Sequence, residues 1–74
     1  MMMEAMVMQF QGIPVLLTTK AKMVYEGIIN GKEDNLVKLI QASAATMYVN
    51  LEEVESVKYN PDFYQFTIVP APKP

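Results

Sequence analysis

Between Ile13 and Tyr59 turn signals recur so closely that no stretch is left long enough for an ordinary helix. The breaks are Thr19-Lys20-Ala21-Lys22, Gly31-Lys32-Glu33-Asp34, Ala42-Ser43-Ala44-Ala45 and Asn60-Pro61-Asp62. The runs between them are rich in β-branched and aromatic residues, the composition of short strands. In 13–18, Ile13, Val15 and Leu17 alternate with Pro14, Leu16 and Thr18, and a proline so early suits a strand start or an edge. Strands are predicted over 23–30, 35–42 and 46–49. Gly27 sits inside the second of these, where a glycine marks sharp bending or close approach of another backbone.

Asn50-Leu51-Glu52-Glu53 matches an Asn-x-x-Glu capping box, which predicts one helical turn rather than a smooth hairpin. A fifth strand follows over 54–59. Asn60-Pro61-Asp62 is a turn with a mechanism, since proline presets one turn dihedral and the Asn and Asp side chains bond the local backbone. The run 63–69 resumes β character, and Pro70-Ala71-Pro72-Lys73-Pro74 is expected to be an extended tail outside any ladder. At the other end, Met2, Met6 and Phe10 share a stripe if 2–10 is helical, whereas Met6, Met8 and Phe10 share a face if it is a strand; periodicity leaves both open. The three leading methionines offer three starts. This N-terminus lacks the basic start and small-residue cleavage site of a signal peptide. No apolar run approaches the roughly 20 residues of a spanning helix, so no membrane partner is expected.

Five short, strongly bent strands predict an all-β fold, a small SH3-like five-stranded barrel, with room for a short N-terminal helix and an extra C-terminal strand. A single domain is expected over 1–74, with its core at about 12–59 and a C-terminal extension over 60–74. A chain of 74 residues buries only about 60% of its unfolded surface and is marginal alone. It has neither cysteine nor histidine, so no disulfide and no ordinary Cys/His zinc site can staple it. With 51% apolar residues against 19% charged, self-association is the expected remedy.

Charge argues mildly against nucleic acid: six lysines face eight carboxylates, no arginine is present, and the net charge is -2. Non-specific nucleic-acid affinity draws on Lys and Arg neutralising phosphates, so any RNA site must be local. The absence of cysteine fits a reducing compartment, which makes the cytoplasm the default location.

Gly27, the branched residues after it, Asp34, then Asn35-Leu36-Val37 and Leu39 resemble the first motif of the Sm-like RNA-binding proteins: glycine, apolar, turn, aspartate, asparagine, apolar. The resemblance runs from about Gly12 to Tyr59, with a shorter turn than usual and Lys38 where an apolar residue is common. It implies a homo-oligomeric ring whose motif loops line a central pore and hold single-stranded RNA. Carried onto this chain, the contacts fall on Lys32, Asp34 and Asn35. The second motif departs from the family, because Thr46-Met47-Tyr48-Val49 is followed by Asn50-Leu51-Glu52-Glu53 and not by a basic segment. Asn50 then stands in the cation's place as a neutral hydrogen-bond donor.

Competing roles are weighed residue by residue. Gly31-Lys32 fails as a phosphate loop, since the pattern needs glycine at 26 and serine or threonine at 33, where the chain has Glu26 and Glu33. Asp34 and Asn35 also serve simply to close a turn. Tyr25 and Tyr48 suit packing as well as base stacking, and Glu52, Glu53 and Glu55 suit a solvated face. With no histidine or cysteine, and no serine spaced to pair with a base, no enzyme activity, cofactor or metal is expected. The function expected is thus an Sm-like ring with RNA at its pore-side loops. The alternative is a structural or protein-binding ring that has lost RNA, and a monomeric SH3-like peptide-binding module is a third class.

Overall fold

The computed structural model of the chain describes residues 2–63. These form a helix α1 (Met2–Met8) followed by strands β1 (Pro14–Thr19), β2 (Val24–Glu33), β3 (Leu36–Ile40), β4 (Thr46–Asn50) and β5 (Val54–Tyr59). A single 3-10 turn, Leu51–Glu53, links the last two strands. All pairings are antiparallel, in the order β4-β3-β2-β1-β5. The protein is therefore all-β with one short helix. The expected extra strand over 63–69 lies outside the described residues except for Phe63. No helix among the described residues is long and apolar enough to cross a membrane.

The N-terminus is helical, one of the two readings left open, and of the helical stripe Phe10 packs against the core but Met6 does not. Val7 is fully buried, with Met3, Met8 and Phe10 packed against the core, while Met6 is 46% exposed. Met3 and Val7 lie four residues apart, one turn along the helix face. Apart from Glu4 the helix is apolar on every side, so periodicity alone could not say which face the sheet would take.

Strand β2 divides the sheet into two halves. Its first part, Val24 to Ile28, pairs with β1, and its second part, from Ile28 to Glu33, pairs with β3. The change of partner falls at Gly27–Ile28. A Cβ on Gly27 would lie 2.8 Å from the Ile40 carbonyl oxygen and 3.3 Å from Leu39 Cβ, so only glycine lets β3 cross this closely. Just beyond, the register slips between Ile29 and Lys32, so that Asn30 and Gly31 together oppose Lys38. Gly31 takes φ 85 at this bulge. The two halves curl around one buried cluster, Val7, Val15, Leu17, Ile29, Val37, Leu39, Val49, Leu51 and Val54.

The barrel is not closed by hydrogen bonds: among the described residues β4 and β5 pair with nothing on their outer edges. The backbone groups offered there follow from the ladder. Gln41 N–H donates to the Ala45 carbonyl at 2.9 Å and Leu51 N–H to the Asn35 carbonyl at 2.7 Å, so the odd-numbered residues of β4 bond inward to β3. By alternation Thr46, Tyr48 and Asn50 turn their N–H and C=O groups to the open edge. On the far side Asn60 N–H donates to the Pro14 carbonyl at 2.9 Å, which places Lys58 and Ser56 in bonded pairs with β1. Val57 and Tyr59 therefore face outward.

Candidate functional site

The predicted turn Gly31-Lys32-Glu33-Asp34 is shorter than the sequence suggests. Glu33 already pairs with Leu36, so only Asp34 and Asn35 span the hairpin, and Gly31, Lys32 and Glu33 belong to β2. The bulge at Asn30 and Gly31 restores the register and lets these polar residues stay in the ladder. Asp34 takes a left-handed φ of 50, which Asp tolerates better than most residues because its short side chain bonds locally.

Three of the four predicted contact residues, Asp34, Asn35 and Asn50, are brought to adjoining turns. Leu36 pairs with Asn50, and Leu51 N–H donates to the Asn35 carbonyl at 2.7 Å, so the Asp34-Asn35 turn and the Asn50-Leu51 turn form one end of the sheet. Asn35 is exposed, and its side chain makes no hydrogen bond among the described residues. Asn50 is exposed too, but its Oδ1 accepts from Glu52 N–H at 2.9 Å and caps the 3-10 turn. Its Nδ2 is left to donate. The cap reaches the second residue of the turn, whereas the predicted capping box would reach the third.

Lys32 stays beside the hairpin, but its charge is taken up by the helix. Its Nζ pairs with Glu4 Oε2 of α1 at 3.0 Å and donates to the Asp34 carbonyl at 3.1 Å. Gln11 reinforces the same attachment, its Oε1 accepting from Gly31 N–H at 2.9 Å. No local pattern around Glu4 or Gln11 announces either contact, because both partners are set by where the helix lands on the sheet. Only the acidic character of Glu4 was a usable signal.

The acidic run divides in the structure. Glu55 accepts from Lys22 Nζ with both carboxylate oxygens at 2.8 Å, an exposed pair worth at most about 1 kcal/mol. Glu52 and Glu53 are exposed beside the Asn50 turn, and they line a shallow groove with Met3, Lys20 and Glu55. Among the described residues no group of three or more carboxylates is placed to hold a metal ion. A second groove runs along β4, lined by Met23, Tyr25, Met47 and Tyr48. Tyr25 is half-buried against the core, and Tyr48 is 46% exposed.

Comparisons with protein-family models, curated proteins and solved structures returned no match.

The cap on Asn50 can be separated from any ligand role. Asn50→Asp keeps an oxygen acceptor for Glu52 N–H, whereas Asn50→Ala removes it. The alanine variant is expected to lose about 1 kcal/mol and the aspartate variant little, as read by thermal unfolding. Equal losses in the two would show that the cap adds no stability.

Proposed function

We propose that this chain is an Sm-like protein that assembles through its open edges into a homo-oligomeric ring, with single-stranded RNA held on the turns carrying Asn35 and Asn50. The observation that carries the assembly is the pair of unlike free edges. If β4 of one copy runs antiparallel to β5 of the next, the outward groups of Thr46, Tyr48 and Asn50 meet those of Val57 and Tyr59. Residues opposed in this way share a face. Tyr48, 46% exposed, then lies beside the half-buried Val57 and beside Tyr59, 57% exposed. The sheet of one copy then continues into the next, and no strand edge is left free to aggregate.

The RNA part rests on less. Asn35 and the Nδ2 of Asn50 are exposed donors repeated once per subunit, which suits weak contacts multiplied around a ring. The placement of Lys32 favours the second reading, a structural ring without RNA, because the hairpin's cation is already paired with Glu4. Fluorescence anisotropy with labelled oligo-U and oligo-A at two salt concentrations separates the two. Wild type should bind with a shallow salt slope. Glu4→Gln, which releases Lys32, should steepen it by roughly 0.7 for each phosphate newly neutralised. Asn50→Asp should lose affinity while keeping its fold. If neither wild type nor Glu4→Gln binds at low salt, the structural ring is the function that remains.

A further inference from the structure

Of the four asparagines, only Asn30 is followed by glycine; Asn35 and Asn50 precede leucine, and Asn60 precedes proline. The difference is chemical. The carboxamide carbon of an asparagine is open to attack by the backbone nitrogen of the next residue, which closes a cyclic imide. A bulky follower crowds that nitrogen, proline has no N–H to give up, and glycine leaves the approach free. Asn30 is exposed, and nothing lies within 4 Å of where a Gly31 side chain would begin. Asn30-Gly31 therefore joins a carboxamide in water to an uncrowded nitrogen.

The fold holds this pair apart. Beyond Ile28, strand β2 has β3 on one side and residues 11–13 on the other. Gly12 N–H donates to the Ile29 carbonyl at 2.8 Å, Ile29 N–H donates to the Ile13 carbonyl at 3.4 Å, and a parallel bridge joins Gln11 to Ile29. Gly31 is the next residue to face that side by alternation. There the acceptor is a side chain: Gln11 Oε1 takes the Gly31 N–H at 2.9 Å. In a strand the N–H lies in the sheet while the side chain stands out of it, so Gly31 N–H aims at Gln11 and away from the Asn30 carboxamide.

We propose that Asn30-Gly31 is a self-modification site, a deamidating pair that the Gln11 side chain keeps closed. When residues 11–13 lift from β2, the Gly31 nitrogen loses its proton to solvent and bonds to Asn30 Cγ. The Cγ–Nδ2 bond breaks, and the departing ammonia takes up the matching proton. Water then opens the imide at either carbonyl, leaving aspartate or isoaspartate. One water is consumed and one ammonia released, with no change of oxidation state. Either product adds a negative charge to a chain of net charge -2, across the bulge from Lys38. Isoaspartate also lengthens the main chain inside the bulge that sets the register of Lys32 and Glu33, so it loosens the hairpin carrying Asp34 and Asn35. None of this depends on the ring or on RNA.

The test follows the full-length protein by intact mass and peptide mapping during incubation at mildly alkaline pH, with enzymatic methylation to count isoaspartate. Wild type should gain the mass of an amide-to-acid exchange slowly, and at Asn30 alone. Gln11→Ala should gain it about fivefold faster, the factor that one hydrogen bond of ordinary net strength places on a local opening. Gln11 is exposed, so this change removes no core packing. Gln11→Met keeps the stem without the acceptor and should behave as the alanine variant does, whereas Gln11→Glu keeps an acceptor and should stay near wild type. Val49→Ala opens a cavity in the core away from residues 11–13 and should leave the rate unchanged under folding conditions. In concentrated urea every variant should react quickly and alike. Equal rates for Gln11→Ala and wild type would overturn the proposal, as would Val49→Ala matching Gln11→Ala, which would make global unfolding the only route. So would acid formation at Asn35 or Asn50 ahead of Asn30, or none in urea.

Discussion

If the chain assembles through β4 and β5 as proposed, Val57→Pro should convert the assembly to monomers of 8.4 kDa while leaving the monomer's fold intact. Val57 turns its N–H to the open edge, so proline removes no hydrogen bond inside the chain, and strand edges accept proline for this reason. What it removes is a donor needed by the neighbouring β4, and its ring obstructs that strand's approach. Tyr48→Pro should act the same way from the opposite edge. The neighbouring positions supply the contrast. Lys58→Pro deletes a bond to Leu16 on β1, and Met47→Pro one to Leu39 on β3, so both should unfold the chain. Light scattering and circular dichroism of the four variants distinguish loss of assembly from loss of fold. Wild type running as a monomer at micromolar concentration would defeat the ring outright, and the SH3-like binding module would take its place.

Gly27→Val is expected to be strongly destabilising although it alters neither charge nor polarity. Its Cβ alone would sit 2.8 Å from the Ile40 carbonyl oxygen, a backbone atom in the ladder that cannot swing aside as a side chain would. Relief requires moving β3 away from β2 where Ile28 and Ile40 pair. Overpacking of this kind costs about 2 to 3 kcal/mol, a fall of roughly 10–20 °C in Tm for a domain of this size. Gly27→Ala should show a smaller drop in the same direction. An unchanged Tm for the valine variant would mean that the close approach at the bend is not a constraint.

Much of this scaffold was legible because its causes are local. The alternation of Val15 and Leu17 with Leu16 and Thr18 marked β1. Gly27 marked the bend, Asn50 its one-turn helix, and Asn60 with Asp62 the reversal after β5. Where local cues misled, tertiary pairing had overridden them. Gly31, Lys32 and Glu33 read as a turn because they are polar, yet the bulge keeps them in β2. Lys32 read as a free cation because Glu4 is far away in sequence. Met6 and Val7 are both apolar, and only the docking of α1 decides which is buried. The candidate site was legible in part for the same reason: Asp34, Asn35 and Asn50 meet because their strands are paired, whereas the charge of Lys32 is drawn off by the helix.

The bend at Gly27 and Ile28 also bears on how many copies a ring holds. In the proposed ring the two edges are unlike, so each copy would join the next head to tail, and nothing in a single contact says when to stop. Closure is decided by the direction in which one edge points relative to the other, much as the corner angle of a tile decides between a hexagon and a heptagon. Both edges hang on strand β2, one through β1 and the other through β3, so the fold in β2 sets that corner. A few degrees at one glycine are multiplied by every subunit around the circle. A slightly altered bend would give a different polygon, and one whose angle fits no whole number would give an open spiral.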